Sequence, residues 1–143
     1  MINGFMAVFA SLGFALLFNI RGDKLFAAAL IGGIGGVLYD LLIFFHCSNY
    51  FSLFFACVVI SILSELFARI LKCPVTTFLI CALIPLVPGG GMYYTMLEIV
   101  QNNIDGAILK GIDTIVQAGS IVLGCLFVSS IMQIYKQLKR KNS

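Results

Sequence analysis

The chain has 143 residues, of which 61% are hydrophobic and 10% are charged, whereas a soluble domain is roughly half apolar and a quarter charged. This composition excludes a soluble globular domain and predicts a single transmembrane domain over residues 1–143. The net charge of +3 does not indicate a nucleic-acid interface, because the basic residues lie at the ends of apolar runs. One histidine, scattered carboxylates and five cysteines without a C-x-x-C pair give no metal-ligand spacing, so no metal or other cofactor is expected.

The first two apolar runs are each long enough for a transmembrane helix, which needs about 20 mostly apolar residues. The first extends from Ile2 to Ile20 and is interpreted as a retained span, because it lacks the basic segment and cleavage site of a signal peptide. The second extends from about Leu25 to Phe45 and contains Gly32 and Gly36 on one helix face. This G-x-x-x-G pattern predicts close helix packing. Asp40 follows one turn later and is a candidate for a polar path.

The third and fourth spans differ in regularity. The third extends from about Tyr50 to Leu71, and Glu65 and Arg69 near its end are in the favourable order for a helical ion pair. The fourth, from about Val75 to Val100, is interrupted by Pro85–Gly91, which holds two of the three prolines and three consecutive glycines. Such a segment unwinds a helix. Unwound backbone at membrane depth is tolerated only where it is buried in protein or lines a cavity. A proline kink that only shapes the packing is the alternative.

The unwound segment and the helix after it form the candidate substrate site. A helix that restarts at the glycines points its N–H groups and partial positive charge into the membrane, where they suit a carboxylate. Polar residues follow at helical steps, so the hydroxyls of Tyr94 and Thr95 are expected to bond the substrate. Glu98 is expected to bind a proton or the substrate ammonium. The candidate substrate-binding residues are Pro85, Pro88, Gly89, Gly90, Gly91, Tyr94, Thr95 and Glu98.

The fifth span, from near Ala107 to near Tyr135, has one polar face and one apolar face. The polar face consists of Lys110, Asp113, Gln117, Ser120 and Gly124. A membrane helix of this kind turns its polar face toward a bundle interior or a cavity. Lys110, Asp113 and Gln117 therefore join Asp40 as candidates for a coupling or polar path. Lys110 and Asp113 are close enough in sequence for an ion pair, and a pair at the membrane interface is the alternative.

The basic residues predict the orientation of the chain. With five crossings, all of them except Lys110 fall on one side: Arg21, Lys24, Arg69, Lys72, Lys136, Lys139, Arg140 and Lys141. Such a bias marks the cytoplasmic side, so the N-terminus is expected outside and the C-terminus in the cytoplasm. A re-entrant hairpin at Pro85–Gly91 would place the basic tail outside. The bias therefore favours a broken fourth helix that crosses the membrane once.

Several of these segments together resemble the threonine/serine exporter (ThrE) family, and most closely its small YjjB-type subunit. They are Ile84–Gly89 after Pro74–Phe78, the Phe18–Asn19 end of the first span, the glycine-rich second span, and the long last span with its basic tail. The similarity covers nearly the whole chain, and the positions of the family's motif correspond to Pro85, Pro88 and Gly89. The glycine run to Gly91 and a first loop without proline depart from the family pattern and leave the substrate open.

The resemblance implies a secondary transporter of the bacterial inner membrane that exports threonine, serine or a C4-dicarboxylate such as succinate. It also implies a larger partner subunit of the ThrE/YjjP type. Independently, five spans are few for enclosing a transport path, and no internal repeat is visible. A partner or a second copy of the chain is therefore expected to supply the other wall.

Two other classes of function compete with a transporter. A non-transporting scaffold that stabilises a larger partner would use the polar face of the fifth span as a seam between subunits. An intramembrane aspartyl protease would use Tyr39-Asp40 and Asp113 as its two carboxylate motifs. Ile112 stands where such enzymes have a glycine before the second aspartate, so the chain is not expected to be an enzyme.

Overall fold

A computed structural model describes the backbone of residues 2–141 and the side chains of residues 4–135, 137 and 138. All regular elements in that part of the chain are helical: α1 (Ile2–Leu17), α2 (Asp23–Phe44), α3 (Asn49–Ile70), α4 (Thr76–Leu83), a 3₁₀ turn (Ile84–Leu86), α5 (Gly89–Val100) and α6 (Ile104–Lys141). Three of the described segments are long and apolar enough to cross a membrane, namely α2, α3 and Ile104–Tyr135 of α6. The pair α4 and α5 adds a fourth, broken span. The prediction of an all-α membrane protein is therefore confirmed.

The first helix is shorter than the sequence pattern predicts. It ends at Leu17 after 16 residues. That length is about 24 Å, against a hydrocarbon core of about 30 Å. The predicted span to Ile20 includes residues that instead form the terminating turn, where Asn19 has a φ of 56° and the Ile20 N–H donates to the Ala15 carbonyl at 2.9 Å. The fifth predicted crossing would be made by α1, which is shorter than the other spans.

α2 lies at the centre of the bundle and packs against α1, α3 and α4. The glycine face allows this close approach. A Cβ added to Gly32 would collide with the Ser11 hydroxyl, and one added to Gly36 would lie 2.6 Å from the Ala7 Cβ. Gly4 also lies against Gly36. The predicted close packing at the G-x-x-x-G pattern is confirmed, and α1 meets it with small residues of its own.

α6 joins two parts of the molecule. Its first half packs against α5, and its middle packs against α3, where a Cβ on Gly124 would lie 2.8 Å from the Phe54 carbonyl oxygen. α5, which is described throughout, has no buried residue and packs mainly against α6. The protein thus consists of a tight core of α1 to α4 and an outlying hairpin of α5 and α6.

The fourth span is broken where the sequence predicts. The 3₁₀ turn follows α4, Val87 is extended (φ −61°, ψ 132°), and α5 restarts at Gly89 with its axis bent by 48°. α3 and α6 run in the same direction, because Tyr50 meets Asp113 near one end and Cys57 meets Gly124 further along. The chain reverses direction between α3 and α4 and again between α5 and α6, so it does not reverse at the break. This geometry favours the single crossing over a re-entrant hairpin.

Charged residues near the helix ends lie where the sequence predicts them. Arg69 Nε lies 3.7 Å from Glu65 Oε2, so the predicted helical ion pair is confirmed. The loops that carry Arg21 and Lys72 lie at the same end of the bundle, since α1 and α2 are antiparallel, as are α3 and α4. The remaining basic residues of the predicted tail have side chains outside the described ones: Lys136, Lys139, Arg140 and Lys141.

Candidate functional site

A cavity of about 270 Å³ opens beside the break, and we call it the break cavity. Its wall includes the backbone-distorted segment Pro85–Pro88, Tyr39 and Asp40 of α2, and Gln117 of α6. Ala7 of α1 and Leu53 of α3 also line it, so α1, α2, α3, the break and α6 all contribute. The structure therefore brings together four of the residues predicted for a site, which lie far apart in sequence: Asp40, Pro85, Pro88 and Gln117.

Asp40 supplies the carboxylate of this cavity. Its Oδ2 accepts a hydrogen bond of 3.0 Å from the Gly4 N–H, in the first turn of α1. A carboxylate is stabilised there, because the first N–H groups of a helix have no partner within the helix and carry a partial positive charge. Beside it, the Tyr39 hydroxyl donates to Asn49 Oδ1 at 2.7 Å, which ties α2 to the start of α3. The acidic wall of the cavity is thus held by contacts to two neighbouring helices.

The N-terminus of α5 directly follows the cavity wall in the chain. Gly89 follows Pro88 of the cavity wall, and its N–H donates to the Val87 carbonyl at 2.7 Å. The N–H groups of Gly90 and Gly91 have no backbone partner within the described part of the chain. A Cβ on Gly89 or Gly90 would meet nothing within 4 Å, whereas one on Gly91 would collide with the Thr114 hydroxyl. Gly89 and Gly90 therefore face open space, and Gly91 allows α5 to approach α6.

The predicted polar stripe of α5 turns toward α6 and lies outside the break cavity. Glu98 Oε1 accepts a hydrogen bond of 2.5 Å from Lys110 Nζ, and its Oε2 accepts one of 2.8 Å from Asn103. The Thr95 hydroxyl donates to the carbonyl of Gly91 in its own helix. The Tyr94 ring lies 5.2 Å from Lys110 Nζ. Helical spacing predicted the shared face correctly, but the short connection between α5 and α6 directs that face onto α6.

The predicted ion pair between Lys110 and Asp113 is wrong. Lys110 pairs with Glu98 of α5, while Asp113 accepts hydrogen bonds from the Tyr50 hydroxyl at 2.5 Å and from Gln117 Nε2 at 2.7 Å. In the sequence, Asp113 is an acidic residue three positions after Lys110 on the same helix. In the structure, Lys110 pairs with a residue of α5 and Asp113 with one of α3, and neither pairing could be read from spacing within α6. Tyr50 was missed, although an aromatic residue with a polar tip at the start of a span is a known signal of the membrane interface.

The arrangement does not match a pair of catalytic carboxylates. Asp40 contacts the start of α1, whereas Asp113 contacts Tyr50 and Gln117, so the two carboxylates have different partners. Two carboxylates that activate water share one proton and lie against each other. Among the described residues, no group of three or more histidine, cysteine or acidic side chains is placed to hold a metal ion.

Comparisons with known proteins identify a family and a relative of this chain. The sequence model of a family described as "Threonine/Serine exporter, ThrE" matches residues 3–131. A protein of Haemophilus influenzae described as "Uncharacterized protein" is 35% identical over 96 residues, which are 66% of this chain and 32% of the relative. The chain therefore spans about a third of the length of this curated relative. No solved structure matches the chain.

Proposed function

Because this chain belongs to the threonine/serine exporter (ThrE) family, we propose that it is the small subunit of a two-component secondary transporter that exports small amino acids. The family and the apolar helices make it a membrane transport protein. The substrate site in this proposal is the break cavity. The observation that carries it is that the Asp40 carboxylate and Pro88, the residue just before the restarted helix α5, line one cavity.

The two charges of an amino acid fit the two sides of this cavity. The ammonium group pairs with the Asp40 carboxylate. The carboxylate group lies toward the N–H groups of Gly90 and the start of α5, where the helix carries partial positive charge. The Gln117 amide lies in the same wall and offers a further polar contact. Broken helices bind substrates in this way in other transporters.

The same geometry supports an amino acid over a C4-dicarboxylate such as succinate. A dicarboxylate has two negative ends and no ammonium group, so one end would face the negative charge of Asp40. Like charges at short distance in a poorly solvated site repel each other strongly.

A larger subunit of the ThrE/YjjP type, or a second copy of this chain, supplies the missing wall. Gly89 and Gly90 face open space, and no residue of the fully described α5 is buried. The Haemophilus relative is about three times as long as the segment it shares with this chain. That ratio supports a complete transporter with more membrane helices than this chain contributes. In this proposal Tyr94 and Glu98 contact Lys110 of α6, and the partner covers the outer face of the hairpin.

The proposed location is the bacterial inner membrane, with the N-terminus outside and the C-terminus in the cytoplasm. The loops with Arg21 and Lys72 lie at one end of the bundle, which supports the cytoplasmic assignment of that end. The break cavity then lies toward the outer half of the membrane, since Asp40 is near the opposite end of α2.

The test is amino-acid efflux from cells that express this chain with and without the larger subunit. Cells are loaded with a threonine dipeptide or with succinate, and release is followed in both. The variant Gly90→Leu fills the space at the start of α5 without a clash inside the chain, because a Cβ there meets nothing within 4 Å. Gly13→Leu is the matched control, since Gly13 of α1 also has open space around it.

The proposal predicts threonine release that needs both subunits, that is lost in Gly90→Leu and that persists in Gly13→Leu. Release that persists in Gly90→Leu would remove the start of α5 from the proposed site. Release with the larger subunit alone would make this chain a non-transporting scaffold. Succinate release in place of threonine release would contradict the role given to Asp40.

A further inference from the structure

A second cavity lies at the other end of α4. Its volume is about 210 Å³, and its wall consists of Phe18 and Ile20 after α1, and Thr76, Thr77, Ile80 and Cys81 of α4. Thr76 and Thr77 place two hydroxyl groups in the first turn of α4. Ile20 adjoins Arg21, so this cavity lies at the end of the bundle that carries the basic loops. We call it the basic-end cavity.

α1 reaches both cavities. Ala7 near its start lines the break cavity, and Phe18 just after its end lines the basic-end cavity. Between them α1 packs along α4, the 3₁₀ turn and α2. The closest point is formed by small residues from three helices: the Cβ position on Gly32 lies against Ser11 and 3.3 Å from the Ala82 Cα. Ser11 lies between Ala7 and Phe18 along α1, and Ala82 lies between Cys81 and Pro85, so this contact lies between the two cavities along the chain.

Ser11 is the polar group at this contact, and its hydroxyl has no hydrogen-bond partner among the described residues. The side chain is fully buried, and its Oγ makes no hydrogen bond. Other helical hydroxyls in the described part of the chain donate to the carbonyl four residues earlier, as at Ser52, Thr95, Thr114 and Ser120. A buried hydroxyl without a partner is unfavourable and calls for an explanation. Ser61 and Ser64 share this property, but they lie on α3, which contributes only Leu53 to the two cavities.

Resting on the proposed function, we propose that α1 is the gate of the transporter. In a second conformation the contact between α1 and α4 opens, the two cavities join, and the Ser11 hydroxyl bonds the passing amino acid. Ser11 and Ala7 of α1 lie on glycines of α2, and Val8 on Gly33 is the larger contact, so a shift of α1 along α2 displaces few large side chains. Asp40 holds the start of α1 through Gly4, so a substrate ammonium at Asp40 competes with that contact. Substrate binding thereby releases the gate.

The test measures the reactivity of buried thiols with a charged, membrane-impermeant methanethiosulfonate. The variants are Ser11→Cys and, as the matched control, Ala56→Cys, because Ala56 is equally buried but lies on α3 away from both cavities. Labelling at each position is read by peptide mass spectrometry in membrane vesicles that contain the complete transporter, with and without threonine. In the unmodified chain, native Cys81 of the basic-end cavity is compared with native Cys57, which is also buried.

The gate predicts labelling at position 11 at least about tenfold faster than at position 56, with a rate that changes when threonine is added. For the native cysteines it predicts a labelling rate at Cys81 that changes when threonine is added and a rate at Cys57 that does not. Equal, slow labelling at both members of each pair overturns the gate. Threonine export by the unmodified chain is measured in the same vesicles. Export with unreactive thiols refutes the gate alone, whereas absence of export refutes the proposed function and the gate with it.

Discussion

The core of α1 to α4 and the hairpin of α5 and α6 contain the same kind of helix contact, but the helices that make it are buried to different extents. In each, a glycine lies against a hydroxyl of a neighbouring helix: Gly32 against Ser11 in the core, and Gly91 against Thr114 in the hairpin. In the core a third helix closes over the contact, and Ser11 is fully buried. In the hairpin no residue of α5, described over its whole length, is buried. Both regions are rich in apolar residues, so the number of neighbouring helices, and not hydropathy, decides what is packed within this chain.

The strongest test of this difference is Gly32→Leu. The new side chain would collide with Ser11 and approach the Ala82 backbone, which has no flexible end to move away. We expect a loss of stability above the roughly 1–3 kcal/mol that overpacking usually costs. Circular dichroism melting in detergent measures the effect. Gly13→Leu is the control, because the Cβ position there is open, and an equal loss in Gly13→Leu would show that the α1–α2 contact is not special.

A smaller loss is expected for Gly124→Val, which tests the link between core and hairpin. The added side chain approaches the Phe54 carbonyl at 2.8 Å and the Cys57 Cβ at 2.9 Å, so α6 must move away from α3. A cost of about 1–3 kcal/mol is expected. Gly119→Val in the same helix has open space and serves as the control. Equal melting temperatures of the two variants would mean that α6 does not depend on close packing against α3.

The sequence predicts the features that depend on local chemistry. Two prolines and three glycines break a helix wherever they stand, and the break was placed correctly at Pro85–Gly91. The glycine face of α2 and the pair Glu65–Arg69 also follow from spacing within one helix. These properties need no knowledge of neighbouring helices.

The partners of the polar residues could not be predicted in the same way. Spacing showed that Thr95 and Glu98 share a face, but the contact of that face with α6 depends on the packing of the hairpin. Spacing alone favours Asp113 as the partner of Lys110, because nothing in the sequence indicates Glu98, which is twelve residues away. Asp40 and Gln117 were predicted separately, and only the fold shows that they line one cavity with the break.

The third prediction compares the two glycine contacts directly. Gly91→Ala brings a methyl group against the Thr114 side chain, but α5 can shift because other helices do not enclose it. Gly32→Ala brings a methyl group against the Ser11 side chain in a site that a third helix encloses. We expect a loss of about 1–3 kcal/mol for Gly32→Ala and under about 1 kcal/mol for Gly91→Ala, measured by melting of the purified chain. A larger loss in Gly91→Ala would contradict the description of the hairpin as loosely packed.

The smallest effect is expected for Glu98→Gln. The glutamine keeps a hydrogen-bond acceptor and loses the charge that pairs with Lys110 near the α5–α6 connection. Ion pairs at exposed positions contribute little to stability. We expect almost unchanged melting and unchanged threonine export at every pH. A shifted pH profile of export would return Glu98 to the role of a proton-coupling residue.

The central claim is that Asp40 binds the substrate ammonium, and threonine export by Asp40→Asn tests it most directly. Asparagine has nearly the same size and can still accept the hydrogen bond from Gly4, so the packing of α1 is kept. Loss of a charged hydrogen bond of roughly 1.5–3 kcal/mol predicts export that falls by about tenfold or more. Glu98→Gln in the same assay controls for removal of a carboxylate elsewhere in the membrane. Equal export by wild type and Asp40→Asn, at equal protein levels, would contradict the account.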